Sequence, residues 1–501
     1  MDKAEISKKV VMRELDYTDR KGLVIGTLGR SCKSVETLIN MIDSGMTMVR
    51  LRLCQGERKK QVIILDYLKE AFIHRPHKKC NLMVDICGRD ITINSFEDDI
   101  PYIEVEAGED IEIFIDLELE IKCTKNRLVT SELGLERIIR KGDIIYIGDG
   151  QIKATVLTIE DGVFKVRSKS EGRIYEYSSI IVPDKHNSLS VIQEKDIADL
   201  EYLAKKHRID YLSVPYWASD EDIKVVRRLT PFLDQTIILA KIEDKNAAVI
   251  KEADGIILQR RALGLSIVSE KLFALQNFLL EQCKLNAKPV LLANEIMDSM
   301  VDSRHPDRSE ISDIQNALIQ GADGVILERE TSYGRFPIEA ISAVSKAICE
   351  TSGLIDPYKK FQTLKSVCDF TSKEEILVMN VAKIILDKDR EPIDYIMTLS
   401  KQGKIARLLA KYCLPIDILA CWPDTRIVKQ LNLVTGLKAV KVPNYTSKLL
   451  GPDHLLQIVI RTNRSMGIGK PGNWIIVFRT KDPKENEDEV EHYFTFEKIT
   501  E

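Results

Sequence analysis

The residues best suited to handling a phosphoryl group lie at the ends of two neighbouring apolar runs. The first run is Thr236-Ile-Ile-Leu-Ala-Lys241-Ile-Glu243. Alternation along a strand places Lys241 and Glu243 on one face, one step apart. A lysine beside a carboxylate at a strand end can neutralise a phosphoryl group and hold a divalent metal. The next run, Ala253-Asp-Gly-Ile-Ile-Leu-Gln, leads into Arg260-Arg261-Ala262-Leu263-Gly264. Its paired arginines make the local field more positive.

Such groups need a scaffold that brings several strand ends together. Eight short apolar runs precede residue 330: Gly22–Thr27, Thr47–Leu53, Asn81–Ile86, Tyr211–Val214, Ile237–Ile242, Gly255–Leu258, Pro289–Ala293 and Gly324–Leu327. Amphipathic stretches such as Ser34–Ser44, Ser219–Leu229 and Glu270–Leu285 separate them. Eight strand–helix units predict a (β/α)8 TIM barrel, whose chemistry sits where the strands end. Over a hundred residues separate the third run from the fourth. They include Tyr102-Ile-Glu-Val-Glu and the strictly alternating Asp110–Lys122, then two strands around the turn Gly148-Asp149-Gly150. This predicts a small β-barrel inserted at 89–183, placed as a water-excluding lid. The barrel then comprises 21–88 and 184–354, after an N-terminal segment 1–20. From 355 to 501 a separate α/β domain is expected, with strands at Asp394–Leu399, Ile416–Cys421 and Trp474–Phe478. Lys481–Glu491 reads as a charged surface loop.

Bulk composition is consistent with this plan. A chain of 501 residues needs two to four domains, and 44% hydrophobic with 30% charged residues describes a globular protein. A net charge of −4 gives no case for nucleic acid as a partner. No run approaches the roughly 18 apolar residues that span a bilayer. Residues 1–20 lack a signal-peptide core, so a cytoplasmic location is expected. The ten cysteines are scattered without a Cys-x-x-Cys and are read as reduced and mostly structural.

The order of several motifs resembles the pyruvate kinase family. They are Ser34-Val-Glu-Thr-Leu-Ile-Asn-Met-Ile-Asp-Ser-Gly-Met, Glu194-Lys-Asp-Ile-Ala-Asp-Leu, Lys288-Pro-Val, Ser312-Asp-Ile-Gln-Asn-Ala and Gly321-Ala-Asp-Gly-Val-Ile-Leu-Glu-Arg-Glu-Thr. The resemblance runs from about residue 20 to about residue 480. It implies the same three-domain plan and transfer of phosphoryl from phosphoenolpyruvate to ADP in glycolysis. It also implies divalent magnesium or manganese, potassium and tetrameric assembly. Such transfer depends on positioning and charge neutralisation.

The resemblance assigns retained roles to four residues. Arg50 matches the arginine that faces the transferring phosphoryl group. Lys241 matches the lysine that stabilises transferred charge. Glu243 matches one metal carboxylate, and Asp85 opens the nucleotide-side motif. Each also has an ordinary reading, as a solvated rim cation or a turn cap.

Other family positions are changed. The second metal carboxylate, in Arg-Gly-Asp-Leu-Gly, is Ala262, preceded by Arg261. The monovalent-cation motif Arg-x-Asn-x-Ser-His reads Arg50-Leu-Arg52-Leu-Cys54-Gln55. Arg52 offers no oxygen, and a thiol is a poor ligand for a hard cation. In Asp85-Ile-Cys-Gly-Arg-Asp-Ile-Thr92, Cys87 replaces a lysine and Thr92 an arginine facing the nucleotide. Asn294 replaces a threonine on the enolate side, and Tyr216 falls where the family has an arginine. These losses imply weak or absent divalent metal, a lost potassium site and low activity of the chain alone. The expected role is then a structural or regulatory partner of an active pyruvate kinase chain, in a homo- or hetero-oligomer that still binds phosphoenolpyruvate or another anion. The alternative is an active, divergent pyruvate kinase in which arginines replace bound cations. In the C-terminal domain, Ser400, Lys401, Gly403 and Lys404 form a turn where the family often holds a sugar phosphate; an ordinary strand-to-helix turn is expected.

Overall fold

Eight apolar runs become parallel strands because both of their faces are covered, so valine, isoleucine and leucine are favoured at nearly every position. The computed structural model describes residues 22–499 except 57, 77, 79, 98–99, 101, 117–120, 131–133, 161, 184, 244–247, 368–371, 388–390, 400–402, 443–455, 462–468 and 482–490. The predicted segment 1–20 lies outside the described residues.

Strands β1 (Leu23–Thr27), β2 (Met48–Arg52) and β3 (Asn81–Asp85) begin a closed barrel. The chain then leaves it and forms β4 (Ile103–Val105), β5 (Asp110–Ile115), β6 (Arg127–Thr130), β7 (Ile144–Ile147), β8 (Ile152–Glu160), β9 (Val163–Ser168) and β10 (Gly172–Ile174). It returns as β11 (Tyr211–Val214), β12 (Ile237–Ile242), β13 (Gly255–Gln259), β14 (Val290–Ala293) and β15 (Gly324–Leu327), and β15 pairs with β1 to close the ring. All eight predicted barrel runs are strands, with ends within one residue. Despite the long excursion, β3 lies directly beside β11, with Asp85 opposite Ser213. Every residue of β12 is buried, Lys241 included.

Helix starts are fixed by side chains. Ser34 accepts from Thr37 N at 3.1 Å and caps the helix Val35–Asp43. Gln193 with Asp196, and Ser219 with Asp222, form reciprocal capping boxes for Glu194–Ala204 and Asp220–Leu229. The stretch predicted from Glu270 begins as a short 3-10 turn and continues as the helix Leu272–Leu285.

The excursion builds a five-stranded sheet in the order β6-β5-β9-β8-β7. Single bridges carry it round. Tyr146 in β7 pairs with Ile181, Ser179 with Thr92, and Ile93 with Thr130 in β6. Ile111, Ile113, Ile145, Ile152, Phe164 and Val166 fill the interior. The Gly148-Asp149-Gly150 turn needs left-handed backbone, at φ 68°, 57° and 93°, which explains its two glycines. Of the alternating stretch Asp110–Lys122, Asp110–Ile115 is a strand, residues 117–120 lie outside the described residues, and Ile121 N donates to the Asp116 carboxylate at 2.9 Å.

The chain divides into two compact units: one is Ile25–Arg304 with Val325–Ile338, and the other holds the remaining described residues. In the second, β16 (Ile393–Thr398), β17 (Asp417–Trp422), β18 (Leu437–Lys441), β19 (Trp474–Lys481) and β20 (Glu491–Lys498) form a sheet in the order β18-β17-β16-β19-β20. Tyr395, Met397, Leu419, Ile475 and Val477 pack one face. The sequence predicts the three inner strands and misses both edges, where polar residues weaken the apolar signal. Lys481 and Glu491 end and begin strands; the predicted loop between them lies outside the described residues.

Candidate functional site

Parallel strands deliver their C-terminal residues to one end of the barrel. Thr27 pairs with Arg50 across β1 and β2, and Arg52 pairs with Asp85 across β2 and β3. Arg50, Arg52, Lys241, Glu243, Ala262 and Asn294 line one cleft of about 410 Å³. Glu328, just after β15, completes the barrel side, while Asp90, Asp149, Ser179 and Ile181 reach in from the inserted segment. Asp85 lies beneath and ties the floor together.

The floor is a buried ion-pair network. Arg50 Nε donates to Asp85 Oδ2 at 2.9 Å, and its terminal nitrogens reach Asp85 and Glu328. Lys241 Nζ lies 2.9 Å from the other Asp85 oxygen. Arg50, Asp85 and Lys241 are each at most 3% exposed. Burial penalises the Asp85 carboxylate, but Arg50, Lys241 and Arg52 outweigh that and hold its pKa well below the usual range. The same contest at Glu328 ends at about 2, with Arg50, Arg52 and Arg261 supplying the pull. Glu243 goes the other way. Burial pushes its carboxyl up to about 8 against the pull of Lys241, while one oxygen accepts from Tyr216 N.

The walls are also paired. Arg52 donates to Asp90 at 3.1 Å, and its buried Nε has no partner among the described residues. Arg261 Nη2 donates to Asp298 at 3.0 Å, with Asp149 and Glu295 within 4 Å. Acidic neighbours thus surround Arg261 and offset the more positive field expected of it. Asn294 has left-handed backbone at φ 68° and donates from its amide to Glu328, while its carbonyl accepts from Arg260 Nε at 3.0 Å. Tyr216, also at positive φ, stacks on His186 with ring centroids 3.9 Å apart.

Two predicted site residues lie elsewhere. Thr92 is held in the bridge to Ser179 and is absent from the residues lining the cleft. Cys54 is likewise absent from the residues lining the cleft. The residue the sequence reading misses is Glu328. Its signal is positional: like Arg50 and Lys241, it stands at the end of a buried run, and few acidic side chains occur there without a partner. Among the described residues no three His, Cys, Asp or Glu side chains gather as a metal-ligand set. In the second unit, Ser400 and Lys401 lie outside the described residues, and Lys404 pairs with Glu374 at 2.9 Å.

An eight-stranded barrel with an inserted β unit and a cleft of paired cations and carboxylates at its strand ends is a TIM-barrel architecture with its site where such barrels carry chemistry. The profile described as "Pyruvate kinase, barrel domain" matches residues 19–341, and "Pyruvate kinase, alpha/beta domain" matches residues 382–487. The chain belongs to the pyruvate kinase family. It is 28% identical over 473 residues to a pyruvate kinase of Eimeria tenella, covering 92% of this chain and 86% of that one. It is 26% identical over 464 residues to that of Dictyostelium discoideum, covering 91% and 90%. A crystal structure of Cryptosporidium parvum pyruvate kinase is similar with a TM-score of 0.78 and 25% identity, covering 96% of this chain and 98% of that one. No described helix is long and apolar enough to cross a membrane.

Proposed function

We propose that this chain is a pyruvate kinase-like subunit of low intrinsic activity, serving as a structural or regulatory partner of an active pyruvate kinase chain. The observation that carries the reading is the Glu328 carboxylate seated on Arg50 and Asn294. Arg50 is the guanidinium assigned by family likeness to the transferring phosphoryl group. A tethered carboxylate already there competes with any incoming anion without losing translational entropy.

The other site positions support the same reading. Ala262 lines the cleft near Glu243 and brings no oxygen, so Glu243 is the single retained carboxylate for a divalent magnesium or manganese ion. Asp85 is committed to Arg50 and Lys241. Arg52 and Cys54 lack the oxygens a potassium ion requires, and Thr92 is not among the residues lining the cleft. The residues present thus fit the metal poorly, and no catalytic step is assigned to it. The inserted segment, proposed at 89–183, acts as a lid because Asp90, Asp149 and Ser179 wall the cleft. Barrel boundaries at 21–88 and 184–354, and a C-terminal domain from 355, complete the proposed layout.

A second reading rests on a different observation. The buried Arg52 Nε without a partner, together with Arg50 and Lys241, favours a cleft that still holds phosphoenolpyruvate or another small anion. A coupled pyruvate assay decides between impairment and divergent activity. The chain alone is expected to turn over at least about tenfold below an ordinary family enzyme, equivalent to about 1.4 kcal/mol of barrier. Turnover in the ordinary range would replace the pseudoenzyme reading with the divergent enzyme. Mixing with an active family chain tests the partner role, with co-elution and a changed rate as the expected result.

A further inference from the structure

We propose that His186 is a pH-released latch between the inserted β segment and the barrel, closed while its ring is neutral and let go when the ring takes up a proton. The chain crosses between barrel and insert twice, outward after β3 and back before β11. The two crossings run as a pair, because Ile180 N donates to Ile91 O at 2.7 Å and Thr92 bridges Ser179. His186 is buried at the barrel end of that pair. Its Nδ1 lies 2.8 Å from Arg89 O on the outward crossing, and its Nε2 accepts from Val182 N at 3.0 Å on the return. These two bonds fix the protonation state. A backbone N–H can only donate, so Nε2 carries no proton. A carbonyl oxygen can only accept, so Nδ1 carries one. Only the neutral imidazole meets both demands. A second proton would set Nε2–H against Val182 N–H and leave a buried cation facing a donor.

The barrel grips the same point. Arg89 Nε donates to Leu189 O at 2.8 Å, just past the short 3-10 turn His186–Ser188, and Nη1 donates to Tyr216 O at 2.7 Å. The guanidinium also holds both oxygens of Asp222, at 2.7 and 3.0 Å, and Asp222 closes the capping box of the helix Asp220–Leu229. The outward crossing is thereby anchored to the barrel. Tyr216, two residues past β11, lies flat on the imidazole, with the ring planes 8° apart. One histidine therefore touches the outward crossing, the return crossing and a barrel strand exit.

The charges around the ring set the direction of the response. Asp90, on the outward crossing, favours the charged ring. Lys185, on the return, is committed to Asp143. Glu243, at the end of β12, accepts from Tyr216 N, and burial pushes its carboxyl up to about 8. The helix Arg260–Ser266 brings only Ala262, Leu265 and Ser266 to the cavity it shares with His186, none of them charged. Burial outweighs the pull of Arg89 O and Asp90 and lowers the His186 pKa below its ordinary 6.5. Above that value the latched and released states are both neutral, and the latch has its full strength. As pH falls below it the released ring takes up the proton first, and each unit shifts the balance about tenfold toward release until the latched ring also titrates. The latch stands independently of how active the chain is.

The test is hydrogen–deuterium exchange of the full chain, resolved to single amides by mass spectrometry and corrected for the intrinsic pH dependence of exchange. From about pH 7.5 to about pH 5.5, protection of the Val182 amide should fall about tenfold, while amides of β13 in the barrel keep theirs. His186→Gln supplies one donor and one acceptor that do not titrate, so its Val182 protection should be the same at both pH values. His186→Phe keeps a ring against Tyr216 but makes neither bond, and its Val182 amide should exchange fast at both. His207, another histidine whose burial lowers its pKa, is the control: His207→Gln should respond to pH as the unsubstituted chain does. A tenfold loss that survives in His186→Gln, or disappears in His207→Gln, overturns the assignment to His186. Constant Val182 protection across the range in the unsubstituted chain overturns the release. Parallel loss in β13 would replace the latch with global unfolding, and undiminished protection in His186→Phe would show that the two bonds hold nothing.

Discussion

At the scale of single residues, Glu328 decides what the cleft can accept. Its carboxylate lies among Arg50, Arg52 and Arg261 and gives Asn294 an acceptor. Glu328→Ser should therefore open the anion site. Oxalate or phosphoenolpyruvate should bind about tenfold more tightly, or about 1.4 kcal/mol, by calorimetric titration; unchanged affinity would remove Glu328 as the blocking group. The same residue has a pH signature. Its pKa falls from an ordinary 4.5 to about 2 on folding. Above pH 4.5 both states are ionised and the full stabilisation is present, on the order of 3 kcal/mol. As pH drops from 4.5 toward 2, the unfolded chain takes up the proton first and that stability is lost. Melting temperature should thus fall more steeply below pH 4.5 in the unsubstituted chain than in Glu328→Gln. Removing the cation is more damaging. Arg50→Met strands Asp85 with Lys241 alone and leaves Glu328 partly buried, a loss of about 3–5 kcal/mol, readable in urea unfolding.

Elements hold these residues where the chemistry would occur. Asp196 is the clearest case. It caps the helix Glu194–Ala204 and also accepts from Cys87 N and Gly88 N at 2.9 Å each. One side chain thus joins a helix start to the exit of β3. Asp196→Ala should cost about 2 kcal/mol, more than the roughly 1 kcal/mol expected for the simple cap loss in Ser34→Ala; equal urea midpoints would show that the bonds to the β3 exit contribute little. Gly324 tests packing between strands. A Cβ there would meet Leu23 O at 2.5 Å and Leu23 Cβ at 2.6 Å. Backbone cannot yield as a flexible side-chain tip does, so Gly324→Ala should destabilise by about 1–3 kcal/mol.

For the molecule as a whole, the proposed impairment is a property of several positions acting together. Ala262→Asp would add a carboxylate on the cleft wall and should raise manganese affinity. Turnover should stay low while Glu328 remains on Arg50 and the replacements proposed at Cys87 and Thr92 are unchanged. Groups that act as a unit do not contribute additively. Manganese titration and the coupled assay separate the two effects. Near-family turnover from Ala262→Asp alone would show that the other changes are tolerated.

The sequence by itself determined the architecture. Eight buried runs, their spacing and the long excursion after the third are legible because parallel strands covered on both faces require continuous apolar residues. Family likeness, read from motif order, brought Arg50, Lys241, Glu243, Ala262 and Asn294 to one site, and all five line the cleft. Tertiary structure decided the charge balance. No local pattern links Glu328 to Arg50, 278 residues away, or Arg261 to Asp298 and Asp149. Nor does spacing say that Cys54 stands outside the residues lining the cleft. Those pairings follow from barrel closure and strand register, which bring distant strand ends within hydrogen-bond reach and set which buried charges cancel.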